Sequence, residues 1–206
     1  MSSSVVWYAA RAGGLVAFAL LTVTVVLGAT LAGRGRTSRW PRFAVEDVHR
    51  FAGVLTGAFI VVHGAGLLAD RVVPFSLSDL MLPGTAPYRP AAVAAGVVAA
   101  ELLAAVGVAN ALRPRISYSL WRRVHYATLG VWALALVHGV TAGTDGDASW
   151  AIALYGAATA AVAGAVVWRI LRSARAAPWT LRLWPGTAAV AGAEFVVALA
   201  LVTHRS

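Results

Sequence analysis

Six apolar runs dominate this chain: residues 12–32, 45–69, 91–112, 121–143, 149–171 and 187–203. The first five hold 21 to 25 residues each, and a helix needs about 20 to cross a bilayer core. In lipid every backbone N–H and C=O must be paired within the chain, so runs of this length resolve into helices. The expected fold is all-α: an integral membrane six-helix bundle, one domain over residues 1–206. The sixth run is the shortest, at seventeen residues, and carries Glu194. Only 12% of the residues are charged, against about 25% in a soluble domain.

All 17 basic residues are arginine, and their placement alternates along the chain. Thirteen fall in three clusters: Arg34, Arg36, Arg39, Arg42 and Arg50; Arg113, Arg115, Arg122 and Arg123; Arg169, Arg172, Arg175 and Arg182. The opposite side has only Arg11, Arg71, Arg89 and Arg205, together with Asp70, Asp79, Asp145 and Asp147. The positive-inside rule places both termini outside. The Ala, Val, Gly and Arg bias suggests a bacterial source, hence a bacterial inner membrane. The net charge of +9 is read as topology setting and headgroup contact, with no nucleic acid as partner. With no cysteine, disulfides, thiolate ligation and iron–sulfur clusters are excluded.

Four histidines lie inside two of the runs. His49 and His63 are fourteen residues apart in the second run, and His125 and His138 thirteen apart in the fourth. Ligand-type side chains are rare in a lipid interior and functional by default. Imidazole is the commonest metal ligand and a frequent axial ligand of haem iron. At about 1.5 Å per residue, fourteen residues span roughly 21 Å, so each helix carries one histidine near each face. The second and fourth runs cross in the same direction. Depth therefore pairs His49 with His125 near the cytoplasmic face and His63 with His138 near the outer face. Two stacked haems would fill these pairs. The alternative is a haem-free membrane scaffold or transporter with the histidines as polar glue.

Helical phase agrees less well than depth. Fourteen residues fall about 40° short of whole turns, but thirteen fall about 140° short. His125 and His138 therefore require overwinding, a bend or different azimuths, with Gly130 as a candidate irregularity. Gly53, Gly57, Gly64, Gly66, Gly130 and Gly139 are the glycines that would let backbone recede near a flat macrocycle; ordinary helix contacts explain them equally well. Arg50, Arg122 and Arg123 suit the propionates of an inner haem, and Arg11, Arg71 and Arg89 those of an outer one. Arg11 is expected to act at the outer haem or its acceptor and not in folding. Glu101 and Glu194 are expected to be neutral carboxyls hydrogen-bonded to a neighbouring helix, with proton uptake as the alternative. Trp7, Tyr8, Tyr88, Trp121, Trp150, Trp179 and Trp184 mostly read as interfacial residues, and WTLRLWPG (179–186) as a piece lying along the membrane surface.

The pattern His49-Arg50-x12-His63, then Trp121-x3-His125-x12-His138-Gly139-x3-Gly143-Thr144-Asp145, resembles the ferric reductase-like transmembrane domain. That family includes the membrane part of NADPH oxidases and ferric reductases, and the bacterial haem subunit partnered with a periplasmic methionine sulfoxide reductase. The resemblance covers about residues 5–171. It implies transmembrane electron transfer through two bis-histidine b haems, from a cytoplasmic-side donor to an outer-side acceptor. No dehydrogenase domain or G-x-G-x-x-G pattern follows the helices. The expected donor is therefore external, a flavin reductase or a quinol, with any flavin or quinone supplied by that partner. The acceptor would be a ferric chelate, oxygen or a redox protein. On this reading the chain is the membrane subunit of an oxidoreductase; a quinol-linked cytochrome b subunit is the alternative.

Overall fold

The computed structural model describes residues 3–32 and 40–176. Among these the chain is all helical, and five helical stretches are long and apolar enough to cross a membrane. The sixth run at 187–203, with Glu194, His204 and the 179–186 stretch, lies outside the described residues.

Helix α1 spans Ser3–Ala32 and begins nine residues before the expected start. Residues 3–11 contain neither Gly nor Pro, so nothing ends the helix before Arg11. Helix α2 spans Arg42–Ala69, with Pro41 as its N-cap; a proline there gives up no helical hydrogen bond. A short helix α3, Leu77–Met81, follows in the loop. Ser76 and Asp79 close a capping box on it, and the Ser76 hydroxyl and N–H both donate to Asp79. These bonds, the hydroxyl's foremost, hold the Asp79 carboxyl below the usual carboxylate range. Helix α4 covers Pro90–Ala111, and a 3₁₀ turn covers Arg113–Arg115. The fourth apolar run is two helices, α5 (Tyr118–Tyr126) and α6 (Thr128–Ala142). Helix α7 runs over Ser149–Ala176.

Two helix pairs organise the bundle. α2 lies along α1, and α4 along α6, while α1 also packs on α6 and α7. Glycine permits the closest approach of α1 and α2, where a Cβ on Gly66 would stand 2.7 Å from the Ala10 Cβ. Trp132, 2% exposed, anchors the core between the pairs. Its indole lies 6.1 Å from the Phe18 ring, and its Nε1–H donates to the Thr22 hydroxyl at 3.0 Å. That hydroxyl in turn donates to the Phe18 carbonyl, so no polar atom of this cluster is left unpaired.

The outer surface of α2 is apolar: Phe51 is 68% exposed, Val54 75% and Val61 70%. Such a continuous exposed apolar face needs lipid or another apolar partner. Glu101, on α4, is also exposed and makes no hydrogen bond or ion pair with another described residue. The expected hydrogen bond to a neighbouring helix is therefore not formed among the described residues.

Candidate functional site

The four histidines meet as two pairs. The His49 and His125 rings lie with centroids 6.1 Å apart and planes at 63°, and the His63 and His138 rings 6.2 Å apart at 77°. α2 supplies one ring of each pair, and α5 and α6 supply the others, although α2 does not pack extensively against either helix. The pairing by depth is the one expected from the sequence.

A break at Ala127 makes up part of the phase difference, about 20° for each residue wound at three per turn. The Ala127 N–H bonds the Val124 carbonyl at 3.0 Å, an i to i+3 bond that winds the chain more tightly than an α-turn. At the same place the Thr128 hydroxyl donates to the His125 carbonyl at 2.7 Å. The irregularity is thus three residues before Gly130, the position considered from the sequence.

Three of the four histidines share one anchoring device. His63 Nδ1 bonds the Ala10 carbonyl at 2.7 Å, His49 Nδ1 that of Thr24 at 2.9 Å, and His138 Nδ1 that of Ala92 at 2.9 Å. Each carbonyl lies inside a helix, where its first lone pair is expected to serve the N–H four residues on; the imidazole takes the second. The residue four positions on is glycine every time: Gly14, Gly28 and Gly96. A Cβ on Gly14 would stand 3.0 Å from His63 Nδ1, one on Gly28 3.1 Å from His49 Cε1, and one on Gly96 2.6 Å from His138 Nδ1. Since a carbonyl only accepts, Nδ1 carries the proton in all three, and Nε2 keeps its lone pair as a metal ligand.

These glycines were not singled out in the sequence, although a signal was present. Gly14 and Gly28 are fourteen residues apart, as are His49 and His63, and antiparallel helices bring the two spacings into register. Of the glycines that were weighed, Gly57 and Gly130 face open space, Gly66 meets Ala10, and Gly139 lies under Tyr155.

The arginines divide. Arg11 pairs with Asp145 and lies against Trp7 and Trp150, its guanidinium 5.1 and 5.6 Å from their ring centres. It thereby ties α1 to the connection between α6 and α7, a structural attachment that the sequence did not foretell. Arg89 donates to the Thr141 carbonyl at 2.5 Å, three residues beyond His138. It is the N-cap of α4, with φ at 41°, a left-handed conformation unfavourable for a residue with a Cβ. Arg89→Ala should keep that strain, lose the cap on the α6 terminus and destabilise by about 1 kcal/mol. Arg89→Gly should be near neutral, because relief of about 1–2 kcal/mol of strain offsets the lost cap. Thermal unfolding in detergent compares them; equal losses would show the strain to be immaterial. Arg50, Arg71, Arg122 and Arg123 are exposed. Arg122 lies over the Tyr118 ring, whereas Arg50, Arg71 and Arg123 make no hydrogen bond or ion pair with another described residue.

The donor set suits one kind of group. Among the described residues no three His, Cys, Asp or Glu side chains gather as a metal site, so a bare ion would find only two ligands here. Two opposed imidazoles suit a metal whose remaining positions a macrocycle fills, as in haem. Two metal–nitrogen bonds of about 2.0 Å and two ring radii of about 1.15 Å put the ring centres about 6.3 Å apart. The observed 6.1 and 6.2 Å fit that requirement at both pairs.

The fold and site define a class: a helical membrane protein with two interhelical imidazole pairs at different depths. The family described as ferric reductase like transmembrane component matches residues 13–140, more than half of the chain, and the chain belongs to it. The matched stretch takes in all four histidines and the three anchoring glycines, and leaves out Arg11 and Asp145. Neither the search of curated proteins nor that of solved structures gave a match.

Proposed function

We propose that this chain carries electrons across a bacterial cell membrane through two b haems, His49 and His125 holding the inner one and His63 and His138 the outer. The observation that carries this reading is the separation of the two ring pairs, each matching the span of one axially held metal. Haem iron supplies a one-electron couple. With two imidazoles to hold such a group at each level, the residues would favour relay over binding a small molecule at the metal.

The rest of the work falls to the protein. Carbonyls of Ala10, Thr24 and Ala92 orient three imidazoles and make them stronger donors. Trp132 lies seven residues after His125 and six before His138. It is buried there together with Phe18 and Thr22. The thirteen-to-four distribution of arginines supports a cytoplasmic inner pair and an outside N-terminus. Electrons would then pass from a cytoplasmic flavin reductase or quinol to an outer ferric chelate, oxygen or redox protein.

The pyridine haemochrome of the purified protein tests this. Two non-covalent haems per chain are expected, since no C-x-x-C-H attachment motif exists. Two distinct ferric EPR signals are also expected, one for each imidazole pair, since the pairs differ in ring angle, 63° against 77°. A preparation without haem would overturn the proposal, and a ratio of one would leave a single pair as ligands.

A further inference from the structure

His125 is unlike the other three histidines. Its Nδ1 is buried and has no hydrogen-bond partner. The glycine device cannot be repeated for it. α4 runs antiparallel to α5 and α6, so thirteen residues after Gly96 the corresponding position is Ala109, which has a Cβ.

In place of a carbonyl, His125 has an indole. Trp121, one turn earlier on α5, stacks on the imidazole with centroids 5.0 Å apart and planes at 21°. The indole is itself held: its Nε1–H donates to Asn110 Oδ1 at 2.9 Å, and the Arg113 guanidinium lies 4.6 Å from its centre. Three elements thus converge on Trp121: α5, the end of α4 and the 3₁₀ turn. A residue serving only as an interfacial anchor would need none of them.

We propose that Trp121 is the positioning residue of the inner site: its indole, clamped by Asn110 and Arg113, sets the plane of the His125 imidazole that a backbone carbonyl sets for the other three histidines. The inference rests on the reading of His49 and His125 as one ligand pair. It has an electronic consequence. A face-stacked imidazole with no acceptor at Nδ1 is a weaker donor than one bound to a carbonyl. The inner centre therefore has one hydrogen-bonded ligand and the outer centre two.

Variants W121L, W121F and N110L of the full chain test this, each with haem content, EPR and midpoint potentials measured. The inner signal is identified as the one lost in H49A. In W121L and N110L the inner ferric signal should broaden or shift its g-values and the inner midpoint should move, with the outer signal and midpoint unchanged. W121F, which keeps a ring but loses the bond to Asn110, should fall between N110L and W121L. Two haems with both signals and both midpoints as in the wild type, in W121L and N110L alike, would overturn the proposal. So would loss of the inner haem in W121L with N110L silent, because the indole would then only fill space. If W121L does not accumulate, N110L decides, since Asn110 is exposed and its loss opens no core cavity. A wild-type protein lacking haem would instead overturn the ligand reading itself.

Discussion

His138→Ala should leave about half of the haem, and the half that remains should be the inner centre. His63→Ala should give the same residual spectrum, because the two rings face one site 6.2 Å apart. His49→Ala and His125→Ala should each leave the outer centre instead. A site with one imidazole removed keeps no second axial donor, and among the described residues no third carboxylate or histidine stands by to replace it. The four single variants should therefore fall into two spectral classes, defined by depth and not by helix. Optical and EPR spectra of the purified variants, with haem per chain, sort them. If His49→Ala and His138→Ala gave the same residual centre, the pairing would follow some other rule and the ligand assignment would fail.

Gly96→Ala should be the most damaging of the possible glycine-to-alanine changes next to a histidine. The added Cβ would lie 2.6 Å from His138 Nδ1 and 2.8 Å from both Cε1 and Cγ, closer than non-bonded atoms come. The ring must move, and its bond to the Ala92 carbonyl is then lost. Overpacking of this kind costs about 1–3 kcal/mol, and loss of an outer-shell partner weakens metal-site affinity by about 10–100-fold. Outer haem retention should fall by that factor. Gly14→Ala and Gly28→Ala, with contacts at 3.0 and 3.1 Å, should act the same way at the outer and inner centres but more mildly. Gly130→Ala, with open space around it, should be silent or stabilising by about 0.5–1 kcal/mol, the ordinary helix preference for alanine. Haem dissociation rates and thermal unfolding of the four variants give the ranking. A Gly96→Ala protein indistinguishable from Gly130→Ala would show that the carbonyl anchor does not matter.

Depth was legible in the sequence because the rise along a helix is nearly constant. Counting from His49 to His63 and from His125 to His138 gives axial positions directly, and the ring pairs formed as the count implies. The five spans among the described residues were legible for a related reason: lipid demands an internally bonded backbone, and an apolar run of sufficient length announces it. The start of α1 and the short helix α3 were less legible. Arg11 interrupts the apolar run, so the Val and Ala residues before it do not join residues 12–32 in the count, and α3 rests on the local Ser76–Asp79 capping box.

What lies beside each histidine was not legible, apart from one signal passed over. The anchors for His49, His63 and His138 are backbone carbonyls, and every residue has one. Only the fourteen-residue match between Gly14–Gly28 and His49–His63 marked which carbonyls were accessible. Arg11 reaches Asp145 across 134 residues of sequence, on a side chain long enough to have met a different partner. The orphaned Nδ1 of His125 and the indole stacked on it depend on azimuth, which the 3₁₀-like turn at Ala127 resets. Sequence by itself therefore determined which residues lie at which level of the bundle, because axial rise is a property of one helix. Only the tertiary structure decided which groups surround each imidazole, because that depends on the rotation and packing of helices distant in the chain.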